Sequence, residues 1–398
     1  MAKQQLKFYP VGNGDNTLIS LTDKTTILID CNIREGEETE QGNKIYPVKS
    51  DLLDSIQSNG DDNPFVDLMI LTHPDEDHCR GFEKNFYNGK SPENYAKANK
   101  DNEEIIVNEL WCTSMLFNNA TNNDAKALKK EAERRRKLWE EDKPEKNDDG
   151  NRIRMIGYDE DSKYENIPSS IPGEIIDLKM INGNSTGNFE MFVHGPFKKS
   201  LIDANAKDDK NFSSIIMQAR FKINKNDLNW ACLYLFGGDA DHYRWAEVIS
   251  KSKSHDNEDK LEWDLFLSPH HCSWTFFNDV PYDAKEENKT PKKTSLELLD
   301  YRQGSGKIIG SCKVVRSTDK NPPHPEAKKE YQKKLEKNSD FIELSKEPSE
   351  KEPKPYVFEV SPQGPVKKGI SEGAAAAALG GSSSAVNQKS EYGSKFTY

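Results

Sequence analysis

Apolar positions fall in short blocks of mostly strand length, separated by turn residues and interrupted by a few stretches of helical spacing. Residues 5–32 read as a β-hairpin whose turns are Asn13-Gly14 and Thr22-Asp23-Lys24. A helix is predicted over 48–60, a strand over 66–72, a short strand over 105–113, and a charged helix over 122–142 that stops before Pro144. Further strands are predicted over 174–182, 189–194, 213–223, 230–236, 307–315 and 356–360, with another apolar block beginning at Trp263. Helices are predicted from Asp241 through Val248, over 294–301 and over 325–336, and no internal repeat is visible. This mixture predicts an α/β (α+β) domain in which strands carry the core.

Three of the apolar blocks end on residues that bind metals. Leu68 to Leu71 leads into His73, Asp75, Asp77 and His78, so a chain turning from a strand edge into a helix can present all four to one point. Divalent ions take imidazole nitrogen and carboxylate oxygen at about 2.0–2.2 Å, held by further hydrogen bonds that fix ring orientation. The alternative is a polar loop whose acidic and histidine residues face water. Two other blocks weigh against it. Trp230 to Phe236 ends in Gly237-Gly238-Asp239, where glycines permit close backbone approach, and Trp263 to Leu267 ends at His270-His271. Together they predict one converging site.

Composition frames that site. With 398 residues and 34% hydrophobic content, the chain can bury a domain core of about 250 residues and leave a surplus for additions. Charged residues make up 31%, and no apolar run has the length to span a bilayer. The amino terminus lacks the apolar core of a secretory signal. The six cysteines, Cys31, Cys79, Cys112, Cys232, Cys272 and Cys312, form no Cys-x-x-Cys pair, which argues against a zinc ribbon or disulfide framework. A soluble, cytoplasmic protein that avoids membranes is expected. The net charge of -11 counts against nonspecific grip on nucleic acid. The basic runs from Lys126 to Lys137 and Lys328 to Lys334 contain glutamates at helical spacing and read as solvated helix faces.

The ordered motifs resemble the metallo-β-lactamase superfamily, and within it the branch of the ComEC-type competence proteins. Val11-Gly12-Asn13-Gly14-Asp15 resembles that branch's opening motif, and Ile27 to Asp30 resembles the strand ending in its first aspartate. His73-x-Asp75-x-Asp77-His78 matches the branch's metal motif. Asn211-Phe212-Ser213-Ser214, Gly238-Asp239, His270-His271-Cys272-Ser273 and His324-Pro325-Glu326 follow in order over most of the chain. Departures are Asn13, Cys31-Asn32, and Cys272 where the branch carries glycine. Cys272 reads either as a pocket-narrowing or metal- and oxidant-sensing thiol, or as a small buried filler. The superfamily's third-motif histidine has no clear counterpart, and His194 is a candidate by order alone.

The resemblance implies a four-layer αββα sandwich over residues 1–365, with a charged insertion at approximately 83–172, near the metal motif, where gating loops sit. Residues 366–398 form a low-complexity, flexible tail. It also implies two divalent ions, zinc or manganese. His73 and Asp75 would hold the first, Asp77 and His78 the second, and Asp239 would bridge them. His270 would complete the second, with His271 as its alternative because adjacent residues leaving a strand point oppositely. Asp30 would hydrogen-bond a ligand histidine, with Asp15 and Ser273 also supporting the ligands. Asp77 would take part in catalysis, and His324 would sit near the leaving group or an anionic substrate. His242 and His255 read as surface histidines. Asp75 in place of a histidine makes the site richer in oxygen and moves its preference toward manganese.

The activity implied is phosphodiester hydrolysis by a hydroxide shared between the ions, on nucleic acid or a nucleotide, in a bacterial defence or stress module. Alternatives are hydrolysis of an amide, thioester or lactam, and a protein-binding effector subunit that docks partners through the insertion or tail.

Overall fold

The apolar blocks pair into two mixed β-sheets in the computed structural model, which describes residues 3–369 apart from 119, 158–165, 184–186, 199, 202–209 and 285–287. The first sheet takes β1 (Gln5–Phe8), β2 (Thr17–Ser20), β3 (Thr26–Ile29), β4 (Gln57–Ser58), β5 (Pro64–Ile70), β6 (Ile106–Cys112), β7 (Arg152–Ile156) and β8 (Ser169–Ser170). The second takes β9 (Ile175–Asp177), β10 (Phe189–Gly195), β11 (Ile216–Phe221), β12 (Cys232–Phe236), β13 (Trp263–Leu267), β14 (Arg302–Gly310) and β15 (Phe341–Glu343). The hairpin β16 (Tyr356–Ser361) and β17 (Gly364–Lys367) then returns to the first sheet beside β1.

Strand order is β17-β16-β1-β2-β3-β5-β6-β7-β8 in the first sheet, with β4 on β5, and β15-β14-β13-β12-β11-β10-β9 in the second. Each sheet is antiparallel on one side and parallel on the other: β3 and β5 to β8 run parallel, as do β12 to β15. The helices include α1 (Val48–Ser55), α2 (Glu76–Cys79), α3 (Asn123–Glu140), α4 (His242–Ser254), α5 (Lys293–Asp300) and α6 (Pro325–Lys333). Among the described residues, no helix is long and apolar enough to cross a membrane.

Alternation along the strands distributes the core. Ile27, Ile29, Leu68 and Ile70 from the first sheet share an apolar cluster with Met217, Ala219, Tyr234, Phe236, Leu265 and Leu267 from the second. Their chain neighbours Leu28 and Met69 lie in a different cluster with Leu52 of α1 and Ala125, Leu128 and Ala132 of α3. Leu235, Phe266 and Ile308 correspondingly pack with Trp245 and Val248 of α4, Leu298 of α5 and Tyr331 of α6. A period of two therefore supplies both faces of each sheet with apolar side chains.

The stretch 83–172 supplies β6, β7 and β8 to the parallel edge of the first sheet and α3 to its apolar cluster. The strand expected over 174–182 ends at Asp177. That side chain accepts from the Met180 amide at 3.2 Å and caps a short helix, Leu178–Asn182. The strand expected over 307–315 is β14 and ends at Gly310. Of the expected tail, residues 366 and 367 belong to β17, while the runs around Ala374 and Ser382 lie outside the described residues.

The basic run in α3 partly faces inward. Arg135 is 1% exposed, and its guanidinium donates to Glu131 at 2.8 Å and to the carbonyls of Arg152 and Val107, both at 2.7 Å. Those bonds pin α3 to β6 and β7. Removing Glu131 would leave a buried cation without its counter-charge. Glu131→Ala is expected to lower stability by about 3–5 kcal/mol, whereas Glu131→Ala with Arg135→Met recovers most of it, as measured by urea unfolding.

Candidate metal centre

Four strand ends place their polar residues together, each at the carboxyl end of a parallel strand: Asp30 after β3, His73 to His78 after β5, Asp239 after β12, and His270-His271 after β13. Carboxyl ends of parallel strands are where helices and loops leave space for ligands. The chain after β3 continues the pairing, since the Cys31 amide donates to the His78 carbonyl at 3.0 Å and the Ile33 amide to the Arg80 carbonyl at 2.9 Å. This locks the β3 and β5 ends in register.

Asp239 stands at the middle. Its Oδ1 lies 3.0 Å from His78 Nε2 and 3.4 Å from His271 Nε2. Its Oδ2 lies 3.6 Å from His73 Nε2 and 3.4 Å from His270 Nε2. Asp77 Oδ2 is 3.0 Å from His271 Nε2, and Asp75 Oδ2 is 3.5 Å from His73 Nε2. Gly238 makes this convergence possible: at φ +48°, a Cβ there would meet Thr72 Oγ1 at 2.7 Å.

The opposite ring nitrogens are all committed elsewhere. His78 Nδ1 donates to Asp30 Oδ2 at 2.8 Å. The Thr72 hydroxyl donates to that same oxygen at 2.7 Å and lies 3.1 Å from His73 Nδ1, so its lone pair can accept from that ring. His271 Nδ1 is 3.1 Å from the Ser311 carbonyl, which can only accept, and 3.1 Å from the Gly14 amide, which can only donate, so these contacts do not fix its tautomer. With Nδ1 carrying the proton, His78 and His73 each turn an Nε2 lone pair inward. His270 Nδ1 lies 3.3 Å from the Thr275 hydroxyl, which is paired with Ser273 at 2.8 Å. Asp15 is 3.6 Å from His271 Nδ1 and 3.8 Å from His78 Nδ1, behind both rings.

Two groups, His73-His78-Asp239 and Asp15-His78-His271, are close enough to hold a metal ion. The first uses the inward-facing nitrogens, whereas Asp15 faces the outer ones, which are occupied. His73 Nε2 is buried with no hydrogen-bond partner, an arrangement that is costly unless an ion or proton meets it. The donor set of imidazoles and carboxylates fits a divalent cation.

Electrostatics agree. Burial alone would raise the Asp239 carboxyl, but His270, His78, His271 and His73 outweigh it and hold the group well below the usual range. Burial and His78 oppose the protonation of His73, yet Asp239 and Asp75 carry it up to about 9. His271 likewise overcomes burial, through Asp239, Asp15 and Asp77, to reach about 10. The cluster strongly favours positive charge at its centre.

Several expectations require correction. His271, rather than His270, faces Asp77 and His78, because neither residue lies on the strand: both have left-handed backbone, with φ 53° and 48°. His270 is instead directed at the Asp239 oxygen that faces His73. His194 is not brought to the cluster. It is buried within β10 with Nε2 2.8 Å from the Lys260 carbonyl. His324 caps α6, where Nδ1 accepts from the Glu326 amide at 3.2 Å, and packs near Trp274 and Tyr282. Its amide meets the Cys272 carbonyl at 2.9 Å, one residue beyond His271. His242 is only 4% exposed and opens α4, so it is not a surface residue. Cys272 is buried in the apolar cluster beneath α4 and α6, the filler position.

Three supporting residues escaped the sequence reading. Thr72 ties Asp30 to His73, and Asn32 donates to the Asp77 carbonyl at 3.0 Å. Lys210 donates to Asp75 Oδ1 at 2.7 Å and leaves Oδ2 facing His73. Thr72 directly precedes the motif, a signal that was available. Lys210 is distant in sequence from Asp75, and only the fold reveals that pairing.

Burial pushes the His194 imidazole down to about 4, despite the bond to Lys260. The unfolded chain therefore takes up this proton near pH 6.5, while the folded chain resists until about pH 4, so stability is lost as pH falls through that window. His194→Gln keeps a donor for the carbonyl. It is expected to remove on the order of 3 kcal/mol of that acid sensitivity and to leave metal content unchanged, measured by urea unfolding from pH 7 to 4 and by elemental analysis.

In comparisons with known proteins, no family model and no curated protein matches this chain.

Proposed function

We propose that the chain is a metal-dependent hydrolase of the metallo-β-lactamase type, built as a four-layer αββα sandwich and acting on phosphodiesters. One observation carries this reading: the two oxygens of Asp239 each face a different pair of imidazoles. The apolar cluster common to both sheets, with helices packed on their other strand faces, agrees with the layering.

His73, Asp75, His270 and Oδ2 of Asp239 would hold one divalent ion; Asp77, His78, His271 and Oδ1 of Asp239 would hold the other. Such ions, when bound, activate water and neutralise charge on a phosphoryl oxygen. Each side then offers two imidazoles and two carboxylates. His270 offsets the oxygen-rich character that Asp75 lends the first side, so zinc suits the set as well as manganese does.

The remaining steps belong to the chain. Asp30 and Thr72 fix the rings of His78 and His73, so no reorientation is needed when substrate arrives. Asp77 is 31% exposed and lines the adjoining cavity, and His271 and His78 overcome its burial to hold the carboxyl well below the usual range, so it stays ionised as an oxygen donor at the cavity edge. Lys210 holds Asp75 by one oxygen, limiting that carboxylate to a single inward donor.

Elemental analysis combined with hydrolysis of bis(p-nitrophenyl) phosphate and of DNA, with manganese or zinc, tests the reading. Two ions per chain are expected. Asp239→Asn should lose both ions and about 10³-fold or more in rate, consistent with the loss of metal catalysis. His271→Ala and His270→Ala should each lose one ion. Full metal content in Asp239→Asn would overturn the centre, and absence of turnover by the loaded protein on every phosphodiester would overturn the activity.

A pH dependence follows from the raised histidines. In the metal-free chain, the stability drawn from protonated His73 and His271 is fully present below about pH 6.5 and lost as pH rises through about 9 and 10. Ions that replace those protons remove the loss. The melting temperature of chelator-treated protein should fall between pH 7 and 10, that of loaded protein should not, and loading should release protons to buffer.

A further inference from the structure

A cavity of about 690 Å³ adjoins the candidate metal centre, sharing Asp77 with it and extending past Asn13 and Arg34. Its volume lies in the range that accommodates small-molecule ligands. Four of its basic residues are already paired: Arg80 with Glu76 at 3.1 Å, Lys313 with Asp319 at 3.1 Å, Arg316 with Glu350 at 2.6 Å, and Lys44 with Glu352 at 3.5 Å. Arg34 differs. Among the described residues its guanidinium has no hydrogen bond or ion pair, and a second guanidinium, Arg80, lies near enough that burial and its charge both weaken the proton's hold.

An unpaired, half-buried guanidinium beside a like charge is unfavourable unless an anion meets it. Its position is fixed by the pairing that fixes the candidate ligands, for Ile33 bonds Arg80 as Cys31 bonds His78. Arg34 is therefore held in register with the metal motif rather than on a wandering loop. A guanidinium offers planar, two-pronged donation that matches a phosphate.

We propose that Arg34 binds a second phosphate of the substrate, adjacent to the phosphodiester that lies at the Asp239 cluster. This rests on the phosphodiesterase reading for the identity of the first group, but the anion site stands on its own geometry. The second phosphate belongs either to the substrate's terminus or to the next link of a short strand.

Calorimetric titration of the full-length, manganese-loaded chain separates these sources with three probes whose links are cleavage-resistant phosphorothioates: ApA, 5′-phosphorylated pApA, and ApApA. At least tenfold tighter binding of pApA than ApA indicates a terminal phosphate, and the same advantage for ApApA indicates the next link; either supports the site. Arg34→Ala should erase the advantage and Arg34→Lys retain part of it. Lys44→Ala, which removes a paired cation from the same cavity, should preserve it. Equal affinity for all three probes, or an advantage that survives Arg34→Ala or disappears equally in Lys44→Ala, would overturn the proposal. Melting curves establish that each variant is folded. Cleavage with manganese is measured separately: phosphate-dependent binding without cleavage would sink the phosphodiesterase reading alone, whereas cleavage with equal affinities would sink Arg34 alone.

Discussion

The convergence of four imidazoles on the two oxygens of Asp239 is the constraint around which this molecule is arranged. A carboxylate 3% exposed cannot remain ionised without nearby positive charge, and His73, His78, His270 and His271 provide it only if they carry protons or share cations. The surrounding groups settle which nitrogen faces inward. Asp30 and Thr72 engage the outer nitrogens of His78 and His73, so the inner lone pairs of those rings point at the Asp239 oxygens, while the Gly14 amide and the Ser311 carbonyl hold the outer nitrogen of His271. Four parallel strand ends are needed to bring these groups together, and that ties the cluster to the sheet order itself.

Holding the cluster requires strained backbone. His270, His271 and Cys272 are consecutive non-glycine residues with φ of 48°, 53° and 65°, and Asp30 adds φ 54°. Left-handed geometry costs such residues about 1–2 kcal/mol each. Hydrogen bonds at both ends hold the turn: the His270 amide to the Gly238 carbonyl at 3.1 Å, and the His324 amide to the Cys272 carbonyl at 2.9 Å. The first of these joins the two strand ends that carry Asp239 and the histidine pair. Strain is thus concentrated where two adjacent histidines must reach different oxygens of one carboxylate.

Much of this was legible in the sequence because it follows from local patterns. Apolar blocks marked β3, β5, β12 and β13, and the polar residues immediately after each became the cluster. The histidine pair was read by strand alternation, which assumes extended backbone; a left-handed turn broke that assumption and exchanged the roles of His270 and His271. His194 closes an apolar block in the sequence, yet it lies within β10 on the antiparallel side of its sheet, where the imidazole meets the Lys260 carbonyl. Short edge strands such as β8 carry too few residues to show periodicity. Lys210 and Asp75 are joined only by folding, so nothing local announced them.

Charge pairing separates supporting residues from those left to meet a ligand. Within the basic runs, Arg135 lies against Glu131 inside the fold, while Lys328, Lys333 and Lys334 lie against Glu343, Glu330 and Asp300. The net charge of -11 disfavours nonspecific grip on a polyanion. On the proposed phosphodiesterase reading, selectivity then comes from few and specific contacts. Asp77, which faces His271 in the Asp239 cluster, and Arg34, which among the described residues has no internal anion, line the same cavity. On the proposed reading, cations held at the cluster would take one phosphate and Arg34 the next, which would place recognition in the spacing between two sites rather than in total charge.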